Sequence, residues 1–242
     1  HLFVDSGVDV IEIGVPFTDP IAEGPTIQRA HDRALKNDVS LKKIFQLVSE
    51  FRKSDKETPI VLMGYLNTFI SHIDLVQSNQ EDGIDSILVV DIPGELNLHD
   101  YGIDNPNINT ISLISPTTKD NRIELIAKNS TGFIYYVNLR GVTGSSNLNL
   151  DEIKNNIGKI KQHSNLPVMA GFGIKTADDA KILAESSEGI VIGSSIVEMI
   201  NEESNSKEFD RISNYLKEMK AAISWKGFVF LNRILKQKLS NL

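Results

Sequence analysis

An α/β barrel is the fold class this sequence predicts, on three observations. Seven short apolar runs rich in β-branched residues recur along the 242 residues. The runs lack polar alternation, so each strand is covered on both faces, as in a parallel sheet. Amphipathic helical stretches separate most of them, which gives βα repeats. A (β/α)8 TIM barrel, with its first strand missing from the N-terminus, is the natural closed solution. An open doubly wound sheet is the competing one, but no glycine-rich fingerprint follows an early strand.

The elements follow in order. HLFVDSG at the start reads as the middle of a helix, so the true N-terminus is expected to be missing. The strands are expected at 8–15, 59–65, 86–92, 108–115, 133–138, 167–173 and 189–194. Between them, Ser40 caps a helix whose Leu41, Ile44, Phe45, Val48 and Phe51 share one face. Another helix runs on from Arg122, and a third follows Thr176. The segment 96–107, broken by glycine and proline, is a poor helix. Residues 1–222 make the barrel domain, and 223–242 a tail of uncertain placement. Residues 227–231 of that tail could fill the empty first-strand position. The preferred reading is a terminal helix outside the barrel, or unrelated sequence, because termini vary most.

Bulk properties exclude several classes. With 32 acidic and 25 basic residues, a net charge of -7 and scattered cations, the chain has no nucleic-acid-binding face. Cysteine is absent, which removes disulfides, thiolate nucleophiles and cysteine metal sites. The five histidines lack metal-ligand spacing and are read as surface or satisfied positions, so no metal is expected. No apolar run reaches the roughly 20 residues of a membrane helix. A cytoplasmic location is expected.

The chemistry is expected to centre on VIEIGVPFTDPIAEGPTIQ. In the strand 8–15, Val8, Val10, Glu12 and Gly14 share the inward face, while Asp9, Ile11, Ile13 and Val15 meet the helices. Glu12 then lies near the carboxyl end of its strand, where barrel enzymes keep their chemistry. Burial should raise its pKa and fit it for proton transfer near neutrality. A buried ion pair is the competing reading. Glu23 sits on the following loop, before a helix. It reads equally as a second catalytic acid or as a carboxylate favouring a helix N-terminus.

GFGIKT and IGSSIV, carrying Gly173, Gly193 and Ser194, end the last two strands and open helices. Backbone N–H groups at such turns bind phosphate, and barrels hold phosphate there. Gly141, Gly144 and the Ser/Asn run after FIYYVN suggest a mobile lid. Tyr135 points inward beside the site, or is an ordinary core aromatic. Asp91 is a helper residue or a loop cap.

Together, EIGVPFTDPIAEGPTIQ, VLMGYLN, VVDIPGE, SPTT, GFIYYVNLRGVTG, GFGI and VIGSSIV resemble the successive signatures of the tryptophan synthase α subunit, over about residues 1 to 200. The resemblance implies a carbon–carbon lyase that cleaves indole-3-glycerol phosphate to indole and glyceraldehyde 3-phosphate by retro-aldol chemistry. By similarity, Glu12 shuttles the protons and Glu23 accepts the indole N–H. Tyr135 lies beside Glu12, while Gly144, Gly173, Gly193 and Ser194 hold phosphate. Thr143 contacts the second acid when the loop closes. The family has aspartate where Glu23 stands. The implied partner is the β subunit, in an αββα heterotetramer, with the turn at 15–20 and the loop at 140–150 at or near the interface. Pyridoxal phosphate is implied only there, and no cofactor in this chain. The alternative is a catalytically impaired phosphate-binding partner that regulates the β subunit.

Overall fold

In the computed structural model, residues 1–79, 83–137, 150–171, 173–203 and 209–223 are described. All seven predicted strands form one parallel sheet in sequence order. They are β1 (Ile11–Gly14), β2 (Ile60–Gly64), β3 (Ser86–Val89), β4 (Asn109–Ile114), β5 (Ile134–Val137), β6 (Val168–Gly171) and β7 (Gly189–Ile190). Each is shorter than its apolar run, because the run continues past the ladder into the turn.

Side-chain alternation sorts the apolar residues into two layers. Val61, Leu88, Ile111, Phe133 and Met169 pack together on the concave face, with Val10 and Tyr135 against them. Their neighbours Leu62, Ile87, Ile134 and Val168 point the other way, into the helix layer. That arrangement is the period of two expected of strands.

The helices that cover the outside form for local reasons. In α3 (Leu41–Arg52), Leu41, Ile44 and Val48 are buried and the Ser40 hydroxyl accepts the Lys43 amide. In α8 (Ala177–Ala184), Thr176 and Asp179 make a capping box. Segment 96–107 holds only a short 3-10 turn, Leu98–Tyr101. The other helices are α1 (Leu2–Asp5), α2 (Pro25–Lys36), α4 (Leu66–Ile70), α5 (Ile73–Gln77), α6 (Asp120–Asn129), α7 (Leu150–His163), α9 (Ser194–Glu203) and α10 (Asp210–Ile223).

The curled sheet is not closed. No described strand lies between β7 and β1, and the two are not paired. A cavity of about 460 Å³ occupies the gap, walled by residues of β1, α2, α9 and α10. The Lys220 ammonium of α10 spans its lower part to both carboxylate oxygens of Asp9, at 2.8 and 2.7 Å. Burial nevertheless raises the Asp9 pKa, outweighing that partner. The tail after Ile223 lies outside the described residues, so the two readings of it stand as before.

Candidate active site

β1 delivers Glu12 to the concave face, in register with Val61 of β2. Ile13 and Val15 face the helices, as the alternation requires. Glu12 lines the cavity with Val61, Met63 and Met169. Burial among these apolar groups raises its pKa from 4.5 to about 7. Among the described residues no cation contributes to the shift, and Glu12 has no ion-pair partner there.

Tyr135 of β5 shares the concave face with Glu12. Burial first, and then the Glu12 charge, pushes its phenol pKa far up, so it stays protonated. Its ring lies so close over Gly171 that a β-carbon there would fall 2.5 Å from its hydroxyl and ring edge. Gly171 therefore leaves the space that the Tyr135 ring occupies.

The loop between β1 and α2 carries Glu23. The hydroxyl of Tyr65, directly after β2, donates a short hydrogen bond to the Glu23 carboxylate. The same hydroxyl accepts the Ala22 amide at 2.9 Å. Burial, followed by the bond to Glu23, raises the Tyr65 pKa and keeps the donor proton in place. The Tyr65 ring stacks on Phe17, with centroids 4.7 Å apart. Glu23 is thus half-buried and anchored, unlike a freely solvated carboxylate. Asp91 accepts the Leu66 amide at 2.8 Å, at the start of the short helix that follows Tyr65. Asp91 thus caps a helix of the neighbouring βα unit rather than its own loop.

Gly173 and Gly193 follow β6 and β7. Gly173 has φ +66°, a left-handed conformation that favours glycine. Gly193 has no atom within 4 Å of where a β-carbon would lie, so its surroundings are open. Ser194 opens α9 and is exposed. The next residue, Ser195, donates to the Ile174 carbonyl at 2.9 Å and ties the two loops together. Thr143 and Gly144 lie outside the described residues, as does the suggested lid.

The predicted residues fall into three groups around the carboxyl ends of the strands. Glu12 and Tyr135 meet inside the sheet, Glu23 hangs on Tyr65 at its rim, Gly173 lies on the turn between β6 and α8, and Ser194 opens α9. The cavity reaches only part of this set: its wall includes Glu12 and Gly193 but not Glu23, Tyr65 or Tyr135. It is chiefly the gap in the barrel wall. Sequence reading missed Tyr65, whose only signal was its place just beyond an apolar strand. It also placed His31 among surface or satisfied histidines. His31 is satisfied but buried, accepting the Phe17 amide at Nδ1.

Among the described residues no group of histidines and acids is arranged to hold a metal. None of the described helices is long and apolar enough to cross a membrane.

Known proteins match this architecture throughout. The family model described as "Tryptophan synthase alpha chain" matches residues 1–224. The tryptophan synthase alpha chain of Nitrosomonas europaea is 42% identical over 231 residues, covering 94% of this chain and 84% of that protein. That of Chromobacterium violaceum is 39% identical over 226 residues, covering 92% and 86%. The crystal structure of the α subunit from Legionella pneumophila superposes with a TM-score of 0.80 at 38% identity, covering 93% of this chain and 85% of that one. The α subunit from Pyrococcus furiosus gives 0.79 at 33% identity, covering 91% and 89%. With the sheet order, the matched length and this identity agreeing, the chain belongs to the tryptophan synthase α-chain family.

Proposed function

We propose that this chain cleaves indole-3-glycerol phosphate to indole and glyceraldehyde 3-phosphate, as the α subunit of a tryptophan synthase. The observation that carries the reading is Glu12, a carboxyl raised to about 7 by burial alone on the inward face of β1. A single group that must give one proton and take another works best when its pKa is near the working pH.

The steps follow from the chemistry of the substrate. The Glu12 carboxyl protonates carbon 3 of the indole, and positive charge develops at the ring nitrogen. The Glu23 carboxylate accepts the indole N–H and stabilises that charge. The Glu12 carboxylate then takes the proton of the side-chain hydroxyl next to the ring. The carbon–carbon bond breaks, its electron pair returns to the ring, and the hydroxyl carbon becomes the aldehyde. Tyr135 packs beside Glu12 and keeps its surroundings apolar. The phosphate sits against the turns at Gly173, Gly193 and Ser194, where backbone N–H groups of the turns and those opening α9 serve an anion; by similarity Gly144 completes this set, and Thr143 contacts the second acid.

The chain itself carries no cofactor in this reading. Its partner is a pyridoxal-phosphate β subunit in an αββα assembly, in the cytoplasm. Ile21, 85% exposed on the Glu23 loop, supplies an apolar contact for such a partner. The test is release of indole and glyceraldehyde 3-phosphate in equal amounts, assayed with and without the β subunit. Turnover that rises on adding the β subunit is expected. Phosphate-ligand binding without product in either assay would instead identify the non-catalytic regulator.

A further inference from the structure

His31 lies on the second turn of α2 and is only 6% exposed. Its Nδ1 is 2.9 Å from the backbone nitrogen of Phe17. A backbone N–H can only donate, so Nδ1 must be the acceptor and the ring proton must sit on Nε2. Protonation would place two donors face to face and break this bond. Burial lowers the His31 pKa, against the opposing pull of Glu23 and Asp32, and keeps the ring neutral.

The bond grips one end of the Glu23 loop. Phe17 continues the path, because its ring stacks on Tyr65. Tyr65 closes it, holding both the Ala22 amide and the Glu23 carboxylate. Residues 17 and 22–23 are therefore fixed at the loop's two ends. Between them run short turns, such as Ile21 to the Asp19 carbonyl and Thr18 to Asp19, and Gln28 of α2 donates to the Pro20 carbonyl at 3.4 Å and the Glu23 carbonyl at 2.9 Å, which holds the Glu23 backbone but not its carboxylate. Loss of the His31 acceptor would free Phe17, loosen its stack on Tyr65 and let the Glu23 carboxylate drift. Errors near 1 Å in a catalytic group cost on the order of 100-fold in rate.

We propose that His31 is a positioning residue for Glu23, acting through the Phe17 amide and the Phe17–Tyr65 stack. The inference rests on the reading of Glu23 as the second acid. Two variants of the full chain separate its role from bulk packing. His31→Asn keeps an acceptor oxygen where Nδ1 stands, and His31→Leu fills the space without one.

With indole-3-glycerol phosphate, His31→Leu is expected to lower kcat about 10-fold with KM changed less than about threefold. His31→Asn should stay within about threefold of the parent in both. Equal losses in the two variants would overturn the proposal. A readout independent of turnover accompanies this. Histidine ring 15N–1H spectra at neutral pH should show His31 protonated at Nε2 alone, and hydrogen exchange at the Ala22 amide should quicken in His31→Leu but not in His31→Asn. A His31 ring protonated at Nδ1, or unchanged Ala22 exchange in His31→Leu, overturns the latch. If the parent chain releases no indole, the proposed reaction fails, while the spectra and exchange still decide whether His31 holds the loop.

Discussion

Glu12 owes its chemistry to the strand that carries it. In water its carboxyl would titrate near 4.5, but on the concave face of β1 burial raises it to about 7. The folded state therefore binds this proton more tightly than the unfolded state does. The penalty for ionising Glu12 in the fold is absent below about 4.5 and complete above about 7. At about 1.36 kcal/mol per pKa unit this shift corresponds to on the order of 2 to 3 kcal/mol. Glu12→Gln is accordingly expected to stabilise the chain by on the order of 2 kcal/mol at pH 8 and by little at pH 4.5. Urea denaturation at the two pH values checks this. Equal effects at both would mean that burial is not what perturbs Glu12. The candidate acid is thus stabilising to remove, as groups strained for function commonly are.

At the scale of elements, the two ends of the strands do different work. The carboxyl ends carry Glu12, Tyr65 and the turns at Gly173 and Gly193. The amino ends are locked by a buried ion pair. Arg52, at the end of α3 and 5% exposed, donates to Asp85 at 2.8 Å and to the Thr58 carbonyl at 2.7 Å. It also reaches the Gly83 carbonyl at 3.0 Å. Asp85 in turn accepts the Ile60 amide at 2.7 Å, fixing the start of β2. Arg52→Leu would leave Asp85 without its cation and is expected to cost about 3 kcal/mol of stability, with kcat on the folded protein within about twofold of the parent. Denaturant midpoints and initial rates distinguish these effects. A large loss of kcat in the folded variant would show that the lower end reaches the site.

What the sequence made legible also differs by element. All seven strands were readable because buried parallel strands are continuous apolar runs, and the Ser40 and Thr176 caps carry their own chemistry. Strand lengths were not readable: the run from Val8 to Val15 reads as one strand, yet only Ile11–Gly14 pairs with β2. Alternation was enough to aim Glu12 inward. It could not find Tyr65 or the role of His31, since both depend on a loop folding back over strand ends distant in sequence. Asp91 was ambiguous for the same reason, because its partner Leu66 belongs to another βα unit.

For the whole molecule, the open seam sets the terms. Among the described residues β1 and β7 end the sheet, and unpaired sheet edges elsewhere invite pairing with other chains. Here the apolar cavity between them is bounded by α2, α9 and α10, and Lys220 bridges its lower part to Asp9. The site straddles this seam. Glu12 and Gly193 stand on its wall, Tyr135 belongs to the continuous part of the sheet, and Glu23 sits on the loop at the rim. Both acids therefore come from the first βα unit and the phosphate turns from the last two, and the curl of the sheet brings them to one rim.

The most direct test of the central claim is the rate of indole release from indole-3-glycerol phosphate by Glu12→Gln against the parent, with the β subunit present. Glutamine keeps the size and polarity of Glu12 but cannot exchange a proton. Loss of a proton shuttle predicts a fall in kcat of at least about 100-fold, with substrate binding retained. A Glu12→Gln rate within about threefold of the parent would contradict the account, since the proton transfers would then run through another group.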